Sequence, residues 1–422
     1  MARRGDGSLS VWIPRGLVEL GNERVGGPAP FTRADGLCAL HLTWSEGRIV
    51  RLQTPAEGTA EPEGMLLPRL LEPHAHLDKA FTWNSFPNLS GTYAGAMAAN
   101  LKEHQTRSVD KVRVRFERAL QLAWRHGLRA IRTHIDSLGP GAECSWDAIL
   151  EGSSRWQDQV TIQPVALVPV EHWETPEGEK LAARVAAAGG LLGGVISPPC
   201  SGRAPRRALS RLLALADRHG CAVDLHIDEA SSHPAAGLFQ LMRVLKRMSV
   251  SVPITCSHAS SLALLSQASL QRLGERMIRA NLQVVALPLT NAWLLERRSD
   301  ITPLQRPQAP IRQLQRSGVR VAVAGDNVAD PWFPAGDFDP LSLMAAAIPL
   351  TQLLPWQRLG LAPFTTAAAG VLGLSWDGVL RRGAPADLVA VKGTSWSDVL
   401  RRTSSRRVLV QGQWLSSTFP TK

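Results

Sequence analysis

The sequence predicts an α/β protein: a (β/α)8 TIM barrel with a small β-sandwich domain built from both termini. Three observations carry this. Eight short, nearly continuous apolar runs recur through the middle of the chain, amphipathic stretches separate them, and both ends break the rhythm. A parallel strand covered on both faces reads as a continuous apolar run. Eight strand–helix units over roughly 300 residues suit a closed barrel.

The runs are "MLLPRLLEPHAH" (65–76), "AIRTHID" (130–136), "TIQPVALVP" (161–169) and "LLGGVIS" (191–197), then "AVDLHID" (222–228), "VPITCSHA" (252–259), "QVVALPLT" (283–290) and "VRVAVAGD" (319–326). Between the fourth and fifth, Leu209, Leu212, Leu213 and Ala216 recur at helical spacing and end at the Gly220 stop. Comparable helices fit 97–125, 177–188, 234–249 and 262–280. Residues 1–64 and 376–422 carry short strand and turn patterns, so they are expected to form one composite β domain. Residues 65–375 are expected to form the barrel.

Composition narrows the class. The 422 residues are 44% hydrophobic and 20% charged, which supports a large core and excludes a disordered polyelectrolyte. A net charge of +11 raises the question of nucleic acid. The basic residues are scattered or in short clusters, without a stripe interleaved with aromatics, so no nucleic-acid partner is expected. Five widely spaced cysteines without a CxxC imply neither a disulfide framework nor a cysteine zinc cluster. No apolar segment follows the basic start "MARRGDGSLS", and no run reaches the roughly 18 residues a membrane span needs. No membrane partner is expected, and a reducing cytoplasm is the default.

The informative feature is how the runs end. His74 and His76 close the first; His134 and Asp136 the second; His226, Asp228 and Glu229 the fifth; His258 the sixth; Asp326 and Asn327 the eighth. In a barrel these ends share one rim, where loops build active sites. Residues i and i+2 of a strand share a face, so His74 and His76 point together into the mouth. Two imidazoles there, with His226 and Asp326 as further ligands, make a site for one divalent ion, zinc or iron. An open position on such an ion lowers the pKa of bound water from 15.7 to about 7. Each residue alone is a weak signal; the set points to a catalytic metal site. His134 reads as a hydrogen-bonded histidine behind the ligands. His41, His104, His126, His172, His219 and His233 read as surface residues. Lys79 reads as pairing with Asp78 or a neighbouring carboxylate.

The ordered motifs "HAHLDK", "RTHID", "DLHIDE", "CSHAS" and "GDNVADPWFP" resemble the amidohydrolase superfamily, in its cytosine deaminase branch. The resemblance implies His74, His76 and His226 as metal ligands, with Asp326 both ligand and acceptor of the water proton. It implies that Glu229 shuttles a proton to the substrate ring and that His258 holds the attacking hydroxide. The fourth run "GGVISPP" lacks the lysine that bridges two metals in some members, so a single ion is expected. Two positions depart from the pattern. Val170 stands where cytosine deaminases carry a glutamine that reads the pyrimidine edge, and Asn327 stands where they carry a second aspartate. Asn327 could offer an NH₂ donor to the substrate, and Trp332 could cover an aromatic ring. The expected function is metal-dependent hydrolysis of a C–N bond in a small nitrogen heterocycle, foremost deamination of cytosine or a related amino-pyrimidine. Removal of an alkylamine from a triazine-like ring is the alternative, and a non-catalytic barrel binding protein the third. A homo-oligomer is expected by the same likeness.

Overall fold

The computed structural model describes residues 5–20, 30–56, 58–298, 300–401 and 405–416. The chain divides into two compact units. One holds the chain up to Leu71, Ala123–Arg129 and the chain from Asp339; the other holds Glu72–Leu122 and Ala130–Phe338.

Strands β1 (Gly7–Pro14), β2 (Leu37–Ser45), β3 (Arg48–Gln53) and β4 (Gly64–Pro68) belong to a terminal sheet. The barrel strands follow as β5 (Leu70–Ala75), β6 (Leu128–Asp136), β7 (Thr161–Leu167), β8 (Leu191–Ile196), β9 (Val223–Ile227), β10 (Ile254–His258), β11 (Leu282–Ala286) and β12 (Val321–Val323). The chain then returns to the terminal sheet with β13 (Leu388–Lys392), β14 (Arg406–Val410) and β15 (Gln413–Trp414). That sheet has seven strands in the order β15-β14-β13-β4-β1-β2-β3. Burial alternates along β2, as expected of a half-covered strand, and its inward face packs Leu40, Leu42 and Trp44 against Leu388 and Leu409.

The eight barrel strands run in sequence order, and neighbouring registers are parallel. A parallel bridge between Ala75 and Asp326 joins the two ends, with the Asp326 N–H donating to the His74 carbonyl at 3.0 Å. Strands β9, β10 and β11 are buried at every residue, which explains why apolar residues dominate their outward faces while their polar residues need partners inside. Polar residues on these strands pair across the interior. Arg132 donates to Asp224 at 2.8 Å, Ser257 donates to the same carboxylate at 2.7 Å, and Gln283 donates to Thr255 at 2.9 Å.

Two sequence expectations change in detail. The first apolar run serves both sheets. Met65 and Leu66 pair with β13 in the terminal sheet, and the barrel strand begins only after Pro68, which cannot donate to a ladder. The helix expected over 97–125 is two helices, Tyr93–Gln105 and Val109–Arg125. Ser108 caps the second, accepting the Lys111 N–H on its hydroxyl and the Val112 N–H on its carbonyl. The helix Ala204–His219 ends at Gly220 in left-handed backbone (φ 67°), as its stop signal requires.

One strand end illustrates how the rim is built. Asp228, fully buried, accepts the N–H groups of Gly237 and Leu238 at 2.9 Å each, so it holds the start of helix Ala236–Leu245. The next residue, Glu229, is thereby fixed at the mouth. Asp228→Ala leaves two buried donors unpaired and is expected to lower stability by about 2–3 kcal/mol, measured by urea unfolding; an unchanged midpoint would contradict this role.

Candidate active site at the barrel mouth

Four of the side chains singled out in the sequence converge. His226 Nε2 lies 3.4 Å from His76 Nε2, and Asp326 Oδ1 lies 3.2 Å from His76 Nε2 and 3.6 Å from His74 Nε2. His74, His76 and His226 each offer a nitrogen to one point, and all are buried. Ligands held at about 2.0–2.1 Å around a tetrahedral cation stand roughly 3.3 Å apart, which is the separation found. The other ring atoms tell the same story. His74 Nε2 and both Asp326 oxygens are buried without a hydrogen-bond partner, an arrangement that is costly unless something else binds them. The residues present therefore fit a divalent ion.

Electrostatics favours the ligand state of the imidazoles. Burial lowers the pKa of His74 and His226 well below the usual histidine range, and neighbouring imidazoles add to it. Burial with the nearby Lys79 ammonium takes His76 down to about 3. Neutral rings with free lone pairs result. Burial raises Asp326, a direction that a bound cation reverses.

Backbone geometry aims these groups. His258 ends β10 and Asp326 follows β12 by three residues, with φ of 69° and 67°, in left-handed backbone uncommon for residues other than glycine. Strain of this kind costs about 1–3 kcal/mol per residue and clusters at functional sites. Support from behind is specific. His74 Nδ1 meets Ser257 Oγ at 3.0 Å, and Ser257 is held by Asp224. His134 stacks on His74 with ring centroids 3.8 Å apart, but neither of its ring nitrogens has a hydrogen-bond partner. It supports the ligand by packing, not by the hydrogen bond expected of it.

A cavity of about 430 Å³ opens in front of the cluster. His76, His226, Glu229, His258 and Asp326 line one side, and Trp332, Tyr93, Met97, Leu101 and Leu138 supply its rings and apolar walls. Glu229 is partly buried, and its carboxyl is raised well above the usual range, first by desolvation and then by Asp326. It approaches His258 Nδ1 at 3.6 Å. Burial lowers His258 to about 3 against the pull of Asp326. The Asn291 amide meets His258 Nδ1 at 3.1 Å and directs Nε2 of that ring away from it.

Other placements differ from expectation. Val170 does not line the cavity: it begins a 3-10 turn (Val170–Glu174), is buried, and packs over Gly194, while the next residue, Glu171, lines the cavity instead. Asn327 lines the cavity, but its amide donates to Asp330 at 2.7 Å, so that N–H is not free for a substrate. Trp332 lines the cavity and meets Tyr93, the chain's single tyrosine, edge-on at 5.0 Å. Lys79 pairs with Asp136 at 2.8 Å. His104, expected at the surface, is buried beside the cavity and accepts the Gly141 N–H at 3.1 Å. His41 lies on strand β2, half-buried, 3.0 Å from Ser10. Asn291, Tyr93 and Glu171 were missed; only Glu171, adjacent to the flagged Val170, had a sequence signal nearby.

Comparisons with known proteins place the chain in a family and a fold. A family model described as "Amidohydrolase family" matches residues 92–415. A pterin deaminase from Rhizobium rhizogenes is 30% identical over 398 residues, covering 92% of this chain and 90% of that protein. An N-isopropylammelide isopropyl amidohydrolase from a Pseudomonas species is 24% identical, covering 82% and 85%. The crystal structure of a 5-methylcytosine deaminase from Klebsiella pneumoniae with 5-fluorocytosine superposes with a TM-score of 0.79 at 23% identity, covering 97% of this chain and 98% of that one.

His226→Ala removes one of the three convergent nitrogens. It is expected to abolish stoichiometric zinc or iron binding, measured by metal analysis after gel filtration, whereas Trp332→Phe should retain it. Equal metal loading of the two variants would contradict the assignment.

Proposed function

The chain belongs to the amidohydrolase family, and from that premise we propose that it hydrolytically deaminates an amino-substituted nitrogen heterocycle, releasing ammonia. The observation that carries this reading is one cavity wall holding His76, His226, His258, Glu229 and Asp326 together. His74, His76, His226 and Asp326 would hold one divalent ion, Zn²⁺ or Fe²⁺. When bound, such an ion acts as a Lewis acid that makes water a nucleophile near neutral pH.

The chain's own groups divide the proton work. Asp326 accepts a proton from the attacking water, and His258 orients that water through its ring edge. Glu229, with its raised pKa, delivers a proton to the ring nitrogen as the adjacent carbon becomes tetrahedral. The water oxygen bonds to the ring carbon, and the bond to the exocyclic nitrogen breaks. One water proton ends on the ring nitrogen and the other leaves with ammonia, so the product carries a carbonyl where the amino group stood. Trp332 and Tyr93 wall the ring, and the apolar lining keeps other water out.

For the ring itself, a fused amino-pyrimidine of the pterin kind fits better than free cytosine. Val170 is turned away and offers no edge reader, and the cavity of about 430 Å³ falls within the size of pockets for ligands larger than one ring. The relative matched over 92% of this chain is a pterin deaminase. A second reading, release of an alkylamine, has its own support. A further chamber of about 600 Å³ meets the first at Tyr93, His226 and Glu229 and leaves room for an N-alkyl group.

A panel of pterins, amino-pyrimidines and N-alkyl triazines, assayed for both ammonia and amine release, tests these readings. Ammonia from an amino ring is expected; amine release alone would move the assignment to the second reading, and no release from any ring would overturn both. On the productive substrate, Glu229→Gln is expected to lower kcat by about 10²–10⁴ with metal content unchanged. Full activity in that variant would remove Glu229 from the proton path.

A further inference from the structure

Lys79 is the one cavity-lining cation among the described residues that stands beside the metal-site groups, and the steps above give it no task. Its side chain is only 3% exposed, and its ammonium donates to Asp136 Oδ1 at 2.8 Å. An ammonium carries three donors, and among the described residues this one has no other hydrogen-bond acceptor.

Its anchor is built to keep it charged and in place. Asp136 also accepts from Arg107 at 2.9 Å and from Asn100 at 3.2 Å. Arg107 in turn pairs with Asp78 and Glu103, each at 2.7 Å, and Arg115 pairs with Glu103 at 2.7 Å. Three cations meet three carboxylates, so the cluster is balanced before any substrate arrives. Burial opposes the ammonium charge, but Asp136, Asp78 and Asp330 outweigh it and hold Lys79 above its ordinary pKa. The ammonium lies 5.9 Å from the Trp332 ring centroid, and its charge reaches His76, His226, Glu229 and Asp326.

Carboxyl oxygens also line the cavity. Glu171 contributes a carboxylate, Glu229 a carboxyl, and the Asn327 amide has already given an N–H to Asp330. A ring in this cavity therefore meets one charged donor, the Lys79 ammonium, beside neutral donors such as Trp332 Nε1, which has no hydrogen-bond partner, and the carboxyl oxygens of Glu171 and Glu229.

Resting on the deaminase reading above, we propose that Lys79 is a specificity-determining residue that donates to a ring oxo group two ring bonds from the attacked carbon. The substrate class is then an amino-oxo ring, in which one ring nitrogen lies between the carbon bearing the amino group and the carbonyl carbon. A diamino ring would set its own N–H groups against the Lys79 donors, and both would be left unpaired.

The test compares metal-loaded wild type with Lys79→Met, which keeps the stem and removes the donors while Asp136 retains Arg107 and Asn100. Two matched pairs serve as probes: 2-amino-4-oxopteridine against 2,4-diaminopteridine, and isocytosine against 2,4-diaminopyrimidine. Wild type is expected to prefer the oxo ring, and Lys79→Met to lower the oxo-to-diamino ratio of kcat/KM roughly 10- to 100-fold, the span of one charge-assisted hydrogen bond. Metal content should match between the two proteins. A purely structural role would depress both rings together and leave the ratio unmoved, which overturns the inference. Wild type that deaminates both members of a pair equally overturns it too, with the deaminase reading intact. Wild type that deaminates none of the four rings, nor any ring of the wider panel, overturns the deaminase reading and this inference with it.

Discussion

The structure depends on placing imidazoles and a carboxylate where water cannot satisfy them. His74, His76, His226, His258 and Asp326 sit together inside the barrel mouth, nearly or fully buried. Isolated buried charge is expensive, so the imidazoles give up their protons and keep lone pairs that a cation could take. A divalent cation would turn the same desolvation into binding energy, because His74 Nε2 and both Asp326 oxygens are buried beside the other imidazoles without a hydrogen-bond partner. The left-handed backbone at His258 and Asp326, the stacked His134 and the Ser257–Asp224 support behind His74 all serve that convergence.

A second constraint is charge balance beside the cavity. Arg107 lies at the centre of a buried cluster with Asp78, Glu103 and Asp136. Removing one member of such a cluster leaves an uncompensated charge in low dielectric, which costs far more than the pair contributes. The cluster comes from the segment after β5, the β6 end and the helix Tyr93–Gln105 with its following turn, so it ties the cavity's helical wall to the barrel. Rigidity there matters to function, since a displaced wall would misplace a ring relative to Glu229 by enough to slow proton transfer.

The barrel and the convergence of its strand-end imidazoles were legible because the same physics writes both. Strands buried on two faces must be apolar throughout, so a polar residue at a strand end stands out. Strand ends also share one rim, and five polar endings could be assembled without knowing any distance. The rest was hidden for identifiable reasons. Whether Val170 or Glu171 faces the cavity is decided by a rotation within one 3-10 turn, which the apolar pattern does not record. Asn100 and His104 lie on a helix whose buried face is polar, the reverse of the usual amphipathic signal. Asn291 acts through His258 from a short helix that shows no spacing of its own. The shared first run, split between two sheets, reads as one strand because only Arg69 separates β4 from β5.

The most direct measurement is X-ray absorption at the metal edge of the zinc- or iron-loaded protein. Three imidazoles and one carboxylate around a single ion give nitrogen and oxygen neighbours at about 2.0–2.2 Å with imidazole scattering beyond. A sulfur neighbour, a second metal within about 3.5–4 Å, or a shell without imidazole scattering would contradict the account.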